Sequence, residues 1–252
     1  MTMLAAFQCL ILHYSNQPDI VLGTDVAGRS DVRTEDLIGF FVNLLVLRTD
    51  LSGDPSFKEC ISRVREIALG AYSHQDVPFD KVVEELRPKR SRAYYPLVQV
   101  SFAQRNKPQG TSTMNGVEAS MFKLGCKSVL DMYVSFADIT QGFACAWVYN
   151  SDLFDASTVA KMAGLYQTTL EKTSANPAMR LSELLPLLIE TERQEREKEQ
   201  TRFQEDSLQW PKNVDQSNKA HTDLSRGAEL ADSSSSNGLL GSVSYFPEQN
   251  SE

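Results

Sequence analysis

Apolar and polar positions alternate along this chain with two different periods. From Met3 to Tyr14 the apolar side chains recur every three or four residues, which predicts that the chain begins in an amphipathic helix. Residues 57–71 have the same spacing. They follow Asp54 and Pro55, which we expect to start that helix as its cap and first-turn residue.

Two more helices follow from the same reasoning. Asp76 and Pro78 are expected to start a short helix, and Asp155 is expected to cap a longer one. The side chains expected to face inward are Phe79, Val82, Val83 and Leu86 in the short helix, and Val159, Met162, Ala163, Tyr166 and Leu170 in the longer one.

Shorter apolar runs predict the strands. Residues 20–24 are expected to form a buried strand that ends in a glycine-containing loop over residues 23–29. Residues 129–137 and 143–150 alternate apolar and polar side chains and are expected to pair as a hairpin. Further strands are expected at residues 44–49, 97–102 and 117–123. Helices combined with a largely antiparallel or mixed sheet indicate an α/β or α+β architecture.

The composition changes at residue 190. Residues 190–252 carry 13 acidic and 7 basic side chains, and the last 46 residues contain ten serines. Such a segment buries too little apolar surface to offset the entropy lost on ordering. We therefore divide the chain into a folded unit, residues 1–189, and a segment 190–252 in which a charged helix leads into a disordered, serine-rich acidic tail.

Charge and hydropathy narrow the class of protein. A net charge of −8 argues against a nucleic-acid partner, because phosphate binding requires clustered Lys and Arg. The longest apolar run, residues 37–47, is about half of the roughly 20 residues that cross a bilayer, so no membrane span is expected. The first residues have neither the basic region nor the cleavage site of a signal peptide, which predicts a cytoplasmic protein.

The four cysteines are Cys9, Cys60, Cys126 and Cys145. They lie far apart in apolar stretches, without a Cys-x-x-Cys pair or a nearby histidine. We expect buried free thiols and no metal site.

Two segments of the first 50 residues resemble condensation domains of non-ribosomal peptide synthetases. Residues 4–8 and 19–29 are similar to a helix and a strand that end in the family's Gly-Thr-Pro-x-Ala-x-Arg loop, with Gly23 and Arg29 at its ends. Residues 38–43, Ile-Gly-Phe-Phe-Val-Asn, resemble its Ile-Gly-x-Phe-Val-Asn-Thr motif and are followed by Arg48.

Two later segments extend the resemblance over residues 3–189. Residues 74–80, His-Gln-Asp-Val-Pro-Phe-Asp, match the family's His-Gln-Asp-x-Pro-Phe signature, and residues 149–154 resemble its Tyr-Asn-x-Asp-Leu-Phe segment. The motif residues to which we assign structural roles are Gly23, Arg29, Gly39, Phe40, His74, Gln75, Asp76, Pro78 and Phe79.

The sequence also departs from the family pattern. Asp25 stands where proline is usual, and Leu44 stands where threonine usually follows the motif asparagine. Residues 90–97 follow the family's Arg-Asp-x-Ser-x-Asn-Pro-Leu pattern only loosely, since Ser91 and Tyr95 do not fit. These departures bear on the subtype and on local loop geometry.

The resemblance implies a chloramphenicol acetyltransferase-like α/β (α+β) sandwich, of which this chain is the C-terminal lobe only. It implies peptidyl and aminoacyl carrier proteins as partners, with a separate N-terminal lobe or an adenylation domain as a further partner. No cofactor is expected to bind directly, because the phosphopantetheine of this chemistry is attached to the carriers.

The catalytic residues implied by the resemblance are not in this sequence. The family's His-His-x-x-x-Asp-Gly motif belongs to the preceding lobe, and the three histidines here, His13, His74 and His221, are unpaired. We therefore assign no catalytic residue and no metal site. For His74 two interpretations remain, a general base assisted by Asp76 or a loop histidine beside a helix that Asp76 caps.

Asn43 and Arg48 are the candidates for shaping a substrate channel. A polar amide inside the apolar run 40–47 requires a specific hydrogen-bond partner. The alternative is that Asn43 satisfies backbone groups where a strand begins.

Three functional hypotheses are open at this point. The first is a partial condensation domain that is inactive without its N-terminal lobe, either paired with a separate lobe or left from a truncated synthetase gene. The second is a non-catalytic module that binds carrier proteins or a synthetase, and the third is an unrelated acyltransferase.

Overall fold

The computed structural model describes residues 1–89, 91, 93–105, 129–139, 142–208 and 242–246. The described helices are α1 (Thr2–Ser15), α2 (Phe57–Ser73), α3 (Phe79–Leu86), α4 (Ala156–Ala175) and α5 (Leu181–Leu208), with a short 3-10 turn at Val32–Thr34. The described strands are β1 (Asp19–Val26), β2 (Asn43–Asp50), β3 (Val100–Gln104), β4 (Met132–Ile139), β5 (Gly142–Tyr149) and β6 (Ser242–Phe246).

The strands form one mixed sheet in the order β2-β1-β3-β4-β5-β6. β3 runs parallel to both β1 and β4, and the other neighbours are antiparallel. A parallel pair needs a long crossover, and α2 and α3 lie in the connection between β2 and β3. The α/β architecture expected from the sequence is confirmed.

The core lies between the sheet and helices α1, α2, α4 and α5. Four aromatic side chains meet at its centre. The ring of Phe7 in α1 lies 4.9 Å from that of Phe102, 5.8 Å from that of Trp147 and 5.9 Å from that of Tyr166, measured between centroids. All four side chains are buried. Phe7 of the first helix thus packs against both the sheet and α4.

Three of the four cysteines are described, and each is a buried free thiol as predicted. The thiols of Cys9 in α1 and Cys60 in α2 hydrogen-bond to each other. Burial raises the pKa of the Cys145 thiol to about 12. Cys126 lies outside the described residues.

The expected cap of α2 is wrong. The cap of α2 is Ser56, which forms a reciprocal capping box with Glu59. Asp54 adopts a φ of 52° and caps α5 instead, because its carboxylate accepts from the backbone N–H of Ser182 at 2.7 Å. The sequence could not reveal this cap, since the two residues are 128 positions apart.

Other boundaries also differ from the expectation. β1 continues to Val26, so Gly23 lies inside a strand rather than in a loop, and it pairs with Ser101 of β3. A Cβ atom at Gly23 would lie 2.8 Å from Cγ1 of Val98, which explains why glycine occurs there. Within α3 only Phe79 is buried, whereas Val82 and Val83 are half-buried and Leu86 is exposed.

The predicted hairpin is confirmed by β4 and β5, which pair from Met132 opposite Tyr149 to Ile139 opposite Gly142. The third strand begins at Val100 rather than at residue 97. The strand predicted at residues 117–123 lies outside the described residues.

The C-terminal segment contains more regular structure than its composition indicates. Helix α5 continues to Leu208 across the proposed boundary at residue 190. Its charged part reaches back to the body, through Glu192 to His13 at 3.4 Å and through Glu199 to Lys161 at 2.6 Å. The backbone of β6 pairs antiparallel with β5. The edge of β5 offers β6 these ladder partners, which local composition cannot show. The division of the chain at residue 190, with a disordered tail after it, stays a prediction. The rest of the proposed tail after residue 208 lies outside the described residues.

Acidification is expected to weaken the fold through Asp54. The backbone N–H and then the hydroxyl of Ser182 donate to its carboxylate and hold the pKa of Asp54 below its ordinary value. A carboxyl group of this kind stabilises the folded chain above its unfolded pKa of about 4, and the contribution is lost as the pH falls through the lower folded value. We expect the urea midpoint to decrease between about pH 5 and pH 3, and to decrease less in Asp54→Asn. Identical pH profiles for the two proteins would contradict this assignment.

Candidate functional site

A groove of about 510 Å³ lies where β1 ends and β2 begins, beside the start of α3. Its lining is mostly apolar and aromatic and brings together several residues of the sequence motifs. The lining residues are Asp25, Phe40, Val42, Asn43, Leu44, Pro78, Phe79, Asp80, Tyr95, Val129 and Leu130. This groove is the candidate site, because ligand sites in proteins are concave and mainly apolar with a few placed polar groups.

Asn43 lies in the groove wall, but its side-chain amide is already engaged. Its Nδ2 donates to the backbone oxygens of Gln75 at 2.9 Å and of Val77 at 2.8 Å. Its Oδ1 accepts from the backbone N–H of Phe79 at 3.1 Å. Asn43 thus caps α3 from another element, where Pro78 as the N-cap residue makes no side-chain cap bond. A role in a substrate channel stays a prediction for Asn43.

Arg48 lies at the other end of β2, about 16 Å from Asn43 by the ordinary rise of a strand. Its guanidinium donates to both carboxylate oxygens of Asp19. This hydrogen bond holds the pKa of Asp19 below its ordinary value. The Arg48 side chain is 72% exposed. The structure does not bring Arg48 into the groove with Asn43.

Arg29 organises the loop between β1 and β2. Its guanidinium donates to the backbone oxygens of Thr34, Glu35 and Leu37, and it lies 4.3 Å from the ring centroid of Phe41. Gly28 beside it has a φ of +62°, and a Cβ atom there would overlap the backbone oxygen of Phe41. Glycine is therefore required at position 28 by both conformation and space.

The tip of this loop presents apolar side chains to the surface. Gly39 and Phe40 belong to this tip, and the Phe40 side chain is 90% exposed. Phe40 therefore contributes to the groove wall and not to core packing.

The histidine signature forms the turn between α2 and α3. His74 ends α2, where its backbone N–H bonds to the oxygen of Ala71, and its side chain is exposed. Asp76 accepts from the hydroxyl of Ser30 at 3.2 Å, which connects this turn to the loop after β1. The structure thus gives the carboxylate of Asp76 a partner in another loop.

Three side chains near the groove were not singled out as site residues by the sequence reasoning. Burial raises the pKa of Tyr133, and the charge of Asp25 and a hydrogen bond to its carboxylate act in the same direction. Arg105 also hydrogen-bonds to Tyr133, and its guanidinium lies 5.9 Å from the ring centroid. The one available signal was Asp25 itself, since it departs from the family's proline.

A second cavity, of about 860 Å³, is lined by residues of α3 and the segment that follows it, and Asp80 lines both cavities. Arg87 and Lys89 line it together with Glu84, Tyr94 and Pro96. In the sequence four of the six residues 87–92 are basic. The net charge of −8 for the whole chain does not reveal this local basic cluster.

The described histidines do not form a catalytic pair. His13 has a buried side chain bonded to Glu192, whereas His74 is exposed at the end of α2. His221 lies outside the described residues. Within the described part of the chain no three His, Cys, Asp or Glu side chains are grouped so that they could hold a metal ion. No helix in that part is both long and apolar enough to span a bilayer.

Comparison with known proteins identifies relatives over most of the chain. A model described as "Condensation domain" matches residues 1–196. Among curated proteins, one component of the linear gramicidin synthase of Brevibacillus parabrevis is 43% identical over 198 residues, which are 77% of this chain and 2% of that protein. The dimodular nonribosomal peptide synthase of Bacillus subtilis (strain 168) is 38% identical over 191 residues, 73% of this chain and 8% of that protein. The chain therefore spans a small part of the relatives that it matches.

Solved structures of a related X-domain and a condensation domain have a similar fold. The X-domain from teicoplanin biosynthesis superposes with a TM-score of 0.67 at 30% identity, over 72% of this chain and 42% of that one. The condensation domain of the monacolin K polyketide synthase MokA gives a TM-score of 0.60 at 22% identity, over 71% of this chain and 42% of that one. The match is thus to less than half of each of these two chains.

Proposed function

This chain belongs to the condensation-domain family, and we propose that it supplies the C-terminal lobe of a domain that joins carrier-bound aminoacyl and peptidyl thioesters by amide bonds. The observation that supports this most directly is the family match over residues 1–196. The proposed domain division, residues 1–189 and 190–252, leaves nearly all of that match in the folded unit.

The chemistry requires more than this chain offers alone. Amide formation from a thioester needs the amine and the acyl carbon held together, a proton acceptor near the nitrogen, and donors for the developing oxyanion. Neither described histidine lines the groove. We therefore propose that the proton acceptor is the paired-histidine motif of an N-terminal lobe, and that this chain contributes positioning.

The groove suits the acyl or aminoacyl group of a carrier-borne substrate better than it suits the phosphate of the phosphopantetheine arm. Its charged lining residues, among those described, are Asp25 and Asp80, and both are acidic. A phosphate would be repelled by them, whereas an apolar acyl or aminoacyl group would find aromatic walls in Phe40, Phe79 and Tyr95. We propose that phosphopantetheine arms on carrier proteins deliver substrate to this groove while their phosphates stay outside it. A cytoplasmic location is part of the same proposal.

Reconstitution tests the proposal. The purified full chain would be mixed with an N-terminal lobe carrying the paired histidines and with loaded donor and acceptor carrier proteins. Intact-protein mass spectrometry would follow the appearance of dipeptide on the acceptor carrier. We expect product only when both lobes are present.

An inactive N-terminal lobe is the control for this test. An N-terminal lobe with both motif histidines replaced by alanine should give no product although both lobes are present. If the intact pair forms no product, and the chain binds neither the lobe nor the carriers, the proposed function is wrong.

A further inference from the structure

The side-chain amide of Asn43, the residue that the sequence motif favours, is already fully hydrogen-bonded within the protein. Both N–H groups of the Asn43 amide are used by backbone oxygens, and its oxygen is used by the N–H of Phe79. A ligand could gain a bond to this amide only by breaking the cap of α3. The Asn43 amide is therefore not free to bind a polar group of a ligand.

The two charged residues in the described lining are placed differently. Asp80 belongs to the first turn of α3, where the helix N-terminus balances a negative charge. Asp25 lies near the end of β1, without a helix terminus of its own, and accepts a hydrogen bond from Tyr133. A carboxylate can accept about four hydrogen bonds, so one from Tyr133 leaves Asp25 able to accept more.

The surroundings of Asp25 select the kind of ligand. Asp25 is exposed and lines a groove in which, apart from Asn43 and Asp80, the other lining residues are apolar or aromatic. Phe40, Phe79 and Tyr95 supply the aromatic walls. A negative charge beside aromatic faces suits a cation attached to an apolar body, because the carboxylate pairs with the cation and ring faces also attract it. A primary ammonium next to an apolar side chain has this chemistry.

We propose that Asp25 binds the protonated amino group of the acceptor amino acid and holds it in the groove before the reaction. This inference rests on the proposed function for the identity of the ligand. Asp25 is a positioning residue here, because the ammonium must lose its proton to the base of the other lobe before it attacks the thioester. Asp25 would thereby favour acceptors that carry a free amine and an apolar side chain.

The test uses a small probe and the full chain alone. L-Phenylalaninamide carries an ammonium and an aromatic side chain, and 3-phenylpropanamide lacks only the amine. Binding at pH 7 would be followed by chemical-shift changes in amide NMR spectra for the natural chain, for Asp25→Asn and for Asp19→Asn. Asp19 is the matched control, an exposed aspartate at the opposite end of the same strand.

The expected result is that L-phenylalaninamide binds the natural chain and Asp19→Asn equally and binds Asp25→Asn about 10-fold more weakly. The probe without the amine should bind all three proteins equally and weakly. Equal affinity of L-phenylalaninamide for Asp25→Asn, equal affinity of both probes for the natural chain, or no binding of L-phenylalaninamide would each overturn the proposal.

This outcome is separate from that of the reconstitution. The binding test needs no carrier protein and no second lobe, so it tests the Asp25 site whether or not dipeptide forms in the reconstitution. Thermal melting of Asp25→Asn should match that of Asp19→Asn, which confirms that a loss of binding does not reflect unfolding.

Discussion

Replacement of Phe7 by alanine is expected to lower the free energy of unfolding by about 3–5 kcal/mol. Phe7 is completely buried and contacts the rings of Phe102, Trp147 and Tyr166, so its removal leaves a cavity between the first helix, the sheet and α4. A loss of this size is a large part of the 5–15 kcal/mol typical of a domain, at about 25 °C. Urea unfolding followed by tryptophan fluorescence measures it, because Trp147 belongs to the same cluster.

Phe40→Ala is the matched control for this prediction. It removes the same atoms from a side chain that is 90% exposed, so the midpoint of unfolding should hardly move. If the two alanine variants unfolded at the same urea concentration, Phe7 could not be central to the core.

Replacement of Asn43 by alanine is expected to cost about 2 kcal/mol and to loosen α3 selectively. The substitution leaves the oxygens of Gln75 and Val77 and the N–H of Phe79 without their side-chain partner. Hydrogen exchange measured by mass spectrometry should show faster exchange in residues 77–86 and unchanged exchange in β4 and β5.

Asn43→Asp separates the two halves of this interaction. The carboxylate keeps an acceptor for Phe79 but loses both donors and faces two carbonyl oxygens, so it should be at least as destabilising as alanine. Arg48→Ala is the control at the other end of β2, and its exposed ion pair with Asp19 should add little to stability. Natural stability in Asn43→Ala would show that the amide does not cap α3, and it would strengthen the substrate-channel hypothesis.

The cap predicted from the histidine signature is wrong, because the prediction depends on local spacing alone. Local spacing places Asp76 next to a helix start, and the rule for caps then favours it. The folded chain instead directs Asp76 to Ser30 and leaves the first turn of α3 to Asn43. A side chain from a different strand can compete for a helix terminus only when the sheet brings it there, and sequence spacing contains no such information.

The local pattern of the sequence determined the type of most described helices and strands, but not that of β6. The three-and-four spacing of Met3 to Tyr14 defined α1, the alternation on either side of residues 140 and 141 defined the hairpin of β4 and β5, and ordered motifs indicated the family. These features follow from interactions between residues close in the chain, for which side-chain period and backbone propensity are sufficient.

The tertiary structure alone decided which residues share a site. It placed Asn43 against α3 and Arg48 about 16 Å away, although both belong to one strand and were predicted together. It joined Asp54 to Ser182 over 128 positions, and it brought Tyr133 of β4 within hydrogen-bond reach of Asp25 in the groove wall. Such pairs depend on strand order and on helix packing, which are set by the burial of the whole apolar surface and not by any local window of sequence.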